Sequence, residues 1–236
     1  MKRRSKQSLS SENPTPSASG GEVIAQIKVW MHGISPMIWR RVLVPGSFTL
    51  RELHGVLQVA MGWEGIHLYQ FCLRAACYGS WELSAASPDV TLTALRLRKG
   101  ARFLYEYDLN IPWRHDVRIE DWLEPEAGKA YPVCSGGGGP CPPEDCGGPS
   151  DFQRRRDNIM SSDALDDLDT MAEIIDQVVL ERRADILDDE ETRSRLERAV
   201  ERSRTWEQAQ GQPFARRAVN GRLRRGDHLD LMHQQW

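Results

Sequence analysis

No run in the chain approaches the roughly 18 apolar residues that a membrane span requires, and no membrane partner is expected. The start, MKRRSKQSLSSENPTPSASGG, is basic but has no apolar core behind it, so no secretory signal is expected and the protein is predicted to be cytoplasmic. An excess of one charge is lacking too. The 31 Lys and Arg against 34 Asp and Glu leave a net charge of -3, too little to mark the whole chain as a nucleic-acid binder. A phosphate loop is absent, because no Gly-Lys-Ser/Thr follows the run Gly136 to Gly139. Cysteines number only five; in a reducing compartment they stay reduced, which favours metal ligation or thiol chemistry over disulfides. No internal repeat is visible.

What is present reads as a globular domain with polar flanks, at 40% hydrophobic and 28% charged residues. Residues 1–21 are rich in Ser, Pro and Gly and are expected to be disordered. From Val23 to Met31, and again from Ile38 to Val44, the pattern predicts two strands joined by the turn Gly33 to Pro36. Thr49 and Glu52 form a T-x-x-E capping box. Behind it Leu50, Leu53, Val56, Leu57, Ala60 and Met61 make one helical stripe, which Gly62 ends. Residues 67–73 alternate as a third strand, with 75–79 a turn or continuation. Residues 80–90 read as a loop and Thr91 to Arg98 as a short helix. Residues 101–109 and 113–119 read as a hairpin.

Beyond residue 150 the character changes. Ser162 or Asp163 can cap a helix carrying Leu165, Leu168, Met171, Ala172, Ile175 and Val179 on one face. A more charged helix is predicted over about 189–210, and 211–236 is read as a polar tail of low order. The predicted fold is α+β: a mostly antiparallel sheet with one packed helix, a Cys/Gly/Pro loop over an edge, and a helical C-terminal extension. The expected division is 1–21, 22–150, 151–210 and 211–236.

The loop is Tyr131 to Pro149, YPVCSGGGGPCPPEDCGGP, with Cys134, Cys141 and Cys146 spaced C-x6-C-x4-C. Its Pro and Gly content excludes helix and central strand. An ordered loop of this length needs something to hold it. The runs PMIWRRVLVPGSFTLRELHGVLQVAMGW, HLYQF, FLYEYD with Trp113 and His115, and CPPEDCGG together resemble the plasmid pRiA4b ORF-3-like family over residues 22–150. Some members travel on plasmids and mobile elements as resolvase-named (TnpR) passenger proteins. The resemblance implies an α+β domain of uncharacterised role. Nothing here resembles the active-site serine segment of a serine recombinase. Tyr69 stands where the family's HLHxF has its second His, and LNIPWRH replaces the family's pattern after Asp108.

Several constellations suggest chemistry. Cys134, Cys141 and Cys146 with His115 or His67 could ligate Zn2+ as a structural ion, because both histidines share strand faces with apolar residues. If one thiol falls away, Asp145 is the substitute ligand, and Cys72 is read as a surface residue outside the site. Alternatively Cys146 could be a nucleophile, with His115 as base, Asp108 as orienter and Gly147 and Gly148 as oxyanion donors. Glu144 and Asp145 with Glu106 or Asp108 could bind a divalent cation, but exposed acids are more often solvated. Tyr105, Tyr107, Trp113 and Trp39 with Arg40 and Arg41 could stack nucleic-acid bases, but alternating aromatics are more often core. Arg216, Arg217, Arg222, Arg224 and Arg225 could touch phosphates or a protein partner. The sequence reading is a non-enzymatic binding or accessory module, with zinc as a possible stabiliser and a cysteine-dependent enzyme as the alternative.

Overall fold

The computed structural model describes residues 21–157 and 162–233. The expected disorder of residues 1–20 and part of the cap expected at Ser162 or Asp163 lie outside what is described. Seven strands form one antiparallel sheet: β1 (Ile24–Met31), β2 (Trp39–Pro45), β3 (Tyr69–Leu73), β4 (Ala76–Gly79), β5 (Arg102–Tyr107), β6 (Trp113–Leu123) and β7 (Val133–Gly138). Their spatial order is β4-β3-β5-β6-β1-β2-β7. β1–β2, β3–β4 and β5–β6 are hairpins, and the β1–β6 and β3–β5 ladders join them. The fold is α+β, as the sequence implied.

Alternation along each strand decides the two faces. In β1, Ala25, Ile27, Val29 and Met31 are buried, while Gln26, Lys28 and Trp30 turn outward. Helix α1 (Leu50–Met61) covers the inward face. Its capping box is complete: Thr49 Oγ1 accepts from the Glu52 N–H at 3.1 Å, and the Glu52 carboxylate accepts from the Thr49 N–H at 2.7 Å. Gly62 ends the helix in the left-handed region at φ 89°.

α1 is buried almost all round, not on one stripe alone. Its second face is covered by α5 (Arg216–Arg225) and α6 (Asp227–Leu231), which bury Val219, Leu223, His228 and Leu231. A Cβ on Gly55 would lie 2.0 Å from the His228 carbonyl oxygen, so only glycine admits α6 at this distance. This corrects the reading of 211–236 as a low-order tail. Each turn buries few apolar residues, and the helices are held by α1, not by composition. Arg222 and Arg225 pair with Asp227, and Arg216 donates to the Ser135 carbonyl.

Three other expectations change. Residues 91–98 form turns, not a helix: the N–H groups of Leu92 and Thr93 go to the carbonyls of Phe48 and Gly46. Residues 133–138 are a strand, not a loop, but lie on the sheet edge, where glycine is tolerated. Cys72 and Cys77 face each other across β3 and β4 and are joined by a disulfide, so Cys72 is no free surface thiol.

After β7 the chain forms three more helices: α2 (Gly148–Asp157), α3 (Ser162–Ile175) and α4 (Glu190–Ala209). α3 and α4 pack through Ala164, Ile174 and Ala199. A fork–fork ion pair between Arg202 and the buried Asp167 also joins them. The stripe Leu165, Leu168, Ile175 and Val179 is exposed.

Candidate functional site

The motifs quoted above converge at one place, where residues 141–148 dock on residues 63–67 at the C-terminal end of α1. Trp63 Nε1 donates to the Pro142 carbonyl at 2.9 Å. The Glu144 carboxylate accepts from the N–H groups of Glu64 at 2.8 Å and Ile66 at 3.4 Å, and from the Tyr107 hydroxyl. Tyr107 in turn accepts from the His67 N–H at 3.2 Å. His67 Nε2 lies 2.9 Å from the Asp145 carboxylate. The loop is therefore held by its acidic pair reaching back to the chain segment after α1.

The other end of the loop is held by the C-terminal segment. Cys141 and Gln212 exchange both backbone hydrogen bonds, at 2.9 and 3.0 Å. The Asn220 side chain acts as one more strand residue for β7, accepting from the Cys134 N–H at 2.7 Å and donating to its carbonyl at 2.9 Å. Arg40 is 1% exposed and runs beneath this edge. Its Nε donates to the Ala60 carbonyl, and its Nη1 to those of Trp39, Gly138 and Gly139. Its guanidinium sits 4.3 Å from the Phe214 ring centre.

The candidate ligands are not gathered into one centre. All three free thiols are buried. Burial pushes Cys141 up to about 12, with Cys146 and Glu144 acting the same way and Arg40 opposing. Burial also raises Cys134 and Cys146. A thiol held protonated is a poor ligand and a poor nucleophile. His115 is fully buried beside Trp63 and Tyr105, with ring centres 5.5 and 5.2 Å away. Burial pushes its pKa down to about 4, with the backbone groups of Trp113 and Tyr105 opposing. His67 is half-buried at the loop, away from the inward face expected of it. Among the described residues no group of three or more His, Cys, Asp or Glu is placed to hold a metal ion.

The Cys146–His115–Asp108 arrangement is likewise not assembled. Asp108 sits at φ 56° and its carboxylate accepts from the N–H groups of Asn110 and Ile111, which makes it a turn residue. Glu106 accepts from Gln70 and Arg114 and does not join Glu144. Gly147 and Gly148 both adopt positive φ, which the tight entry into α2 requires. Of the proposed stacking residues, Tyr105, Tyr107 and Trp113 are core, and only Trp39 faces outward.

One buried polar cluster was missed by the sequence reading. His54 Nδ1 lies 2.7 Å from the Tyr105 hydroxyl, which also accepts from Gln58 Nε2 at 2.8 Å. The His54 ring stacks on Tyr69, 3.7 Å between centres and 4° from parallel. Burial, then the nearby Arg51, push the His54 pKa down to about 3. The signal was available: 50, 53, 54 and 57 fall on one helical face, so His54 shares the Leu50–Leu53–Leu57 stripe. Tyr69, at the family's second His position, supplies the stacking face.

The model of the plasmid pRiA4b ORF-3-like protein family matches residues 23–188. An uncharacterised protein, y4hQ, of Sinorhizobium fredii is 37% identical over 136 residues, covering 55% of this chain and 70% of its own. A crystal structure of a protein of unknown function, MM3350 from Methanosarcina mazei Go1, is 29% identical with a TM-score of 0.55. It covers 60% of this chain and 84% of its own.

Proposed function

The chain belongs to the plasmid pRiA4b ORF-3-like family, and on that premise we propose that it is a non-catalytic binding module serving plasmid-borne or mobile DNA. One observation carries the non-catalytic reading. The side chains a hydrolase or metalloenzyme would use are spent on holding the fold. Glu144 and Asp145 latch the loop, Asp108 sets a turn, and the thiols are buried and held protonated. The family's description supports the association with plasmids.

Alkylation of the native and the denatured protein at neutral pH tests this. Cys134, Cys141 and Cys146 are expected to react slowly in the native state and quickly once unfolded. A single thiol that reacts fast in the folded protein would instead mark a poised thiolate and bring the enzyme reading back. Glu144→Gln sharpens the test. As a latch it should lower stability by about 1–3 kcal/mol, because the amide disrupts a site built around an acceptor-only carboxylate.

A further inference from the structure

The outward face of the sheet carries an arrangement that folding alone disfavours. Arg41 on β2 lies directly opposite Lys28 on β1, Lys28 opposite Arg118 on β6, and Arg118 opposite Arg102 on β5. Four cations thus form one row across four adjacent strands. Like charges directly opposite each other destabilise a sheet. Glu120 forks onto Arg41 at 2.5 and 3.0 Å and acts at longer range on Lys28, leaving Arg118 and Arg102 at the other end. Among the described residues no carboxylate forms an ion pair with Lys28, Arg118 or Arg102.

The next row holds Trp39 opposite Trp30, with Asp116 of β6 on the other side of Trp30. Both are half-buried, and the cations reach over them. Lys28 Nζ lies 4.9 Å from the Trp39 ring centre and 6.0 Å from that of Trp30, and Arg102 lies 5.7 Å from Trp30. The glycine run of β7 gives Trp39 its bed. A Cβ on Gly138 would lie 2.8 Å from the Trp39 indole nitrogen, and one on Gly136 3.5 Å from its ring. A side chain at 138 would push the indole aside, whereas one at 136 would only touch it.

We propose that this face binds single-stranded nucleic acid, its phosphates along the row Arg41–Lys28–Arg118–Arg102 and its bases stacked on Trp30 and Trp39. Strands about 4.8 Å apart make the row about 14 Å long, which suits a short length of extended backbone. Flat aromatic rings beside a cationic track favour unpaired bases, because bases in a duplex already stack on one another. The inference rests on the reading of the chain as a binding module and names its partner.

The test uses the full chain with fluorescein-labelled oligothymidylate, oligouridylate and a duplex of equal length, read by fluorescence anisotropy across a salt series. The expected result is preference for either single strand over the duplex, with a slope of log affinity against log salt of about -3 for four engaged cations. Trp30→Ala with Trp39→Ala should weaken binding about tenfold or more while leaving the slope. Arg118→Ala should reduce the slope by about 0.7. Arg224→Ala, an exposed cation on α5, should change neither. Thermal melts confirm that the variants fold. Folded wild-type protein that does not bind at low salt would overturn the proposal. So would binding indifferent to both tryptophans, or equally weakened by Arg224→Ala. Anisotropy does not read the thiols, so failure here leaves the non-catalytic reading standing, and rapid native alkylation would overturn that reading without touching this one.

Discussion

Helices α1 and α3 carry similar apolar stripes and have opposite fates. In α1, Leu50, Leu53, Val56, Leu57, Ala60 and Met61 are buried between the sheet and the C-terminal helices. In α3, Leu165, Leu168 and Ile175 are each more than half exposed, and the packed positions are Ala164, Asp167 and Ile174. Periodicity reports that a stripe exists and says nothing of what will cover it. α1 has partners on two sides, whereas among the described residues α3 packs chiefly on α4.

Substituting one leucine in each helix gives the widest contrast. Leu57→Asp would place an unpaired carboxylate in a dry core, costing about 3–5 kcal/mol or more. That is a large part of the about 5–15 kcal/mol that holds a domain, so the variant should be insoluble or unfolded on expression. A soluble variant with wild-type melting would show that α1 is not central.

Acid should act on the α1 unit next. His54 and His115 have pKa values depressed to about 3 and about 4 by burial. Above pH 6.5 both folded and unfolded states hold these rings neutral. As the pH falls below that value the unfolded chain takes up protons that the folded one refuses, so stability falls until the folded pKa is passed. The loss from pH 7 to pH 5 is about 2 kcal/mol per histidine. Urea unfolding at the two pH values measures it, and equal midpoints would mean that the rings are not held neutral in the fold.

Gly55→Ala probes the second face of α1. Its methyl would collide with the His228 carbonyl, so α6 must move, at a cost of about 1–3 kcal/mol. Limited proteolysis should then cut within 211–233 sooner than in the wild type. Unchanged digestion would show that α6 is held elsewhere. Leu168→Asp should have the smallest effect, within about 0.5 kcal/mol, because the side chain is already 54% exposed. Unfolding by this change would mean that the α3 stripe is covered in solution.

Much of the sheet was legible from local signals: β1, β6 and the start of β5 alternate, and β2 is an apolar run closed by Pro45-Gly46. The α1 cap was legible from Thr49 and Glu52 alone. The loop was harder. Its acids looked like solvated loop residues or metal ligands, but Glu144 is spent on the Glu64 and Ile66 backbone and on Tyr107, about 80 and 40 residues away in sequence. The C-terminal helices were illegible because Val219, Leu223 and Leu231 make too sparse a stripe to stand out among arginines.

By itself the sequence determined strands β1, β2, β5 and β6 and helix α1 with its buried stripe. These follow from spacing within a few residues, which fixes which side chains share a face. Only the tertiary structure decided which stripe is covered, where the thiols and histidines lie relative to one another, and that Arg41, Lys28, Arg118 and Arg102 stand in one row. Strand order and register set those distances, and both depend on pairings between residues far apart in the chain, which no local pattern encodes.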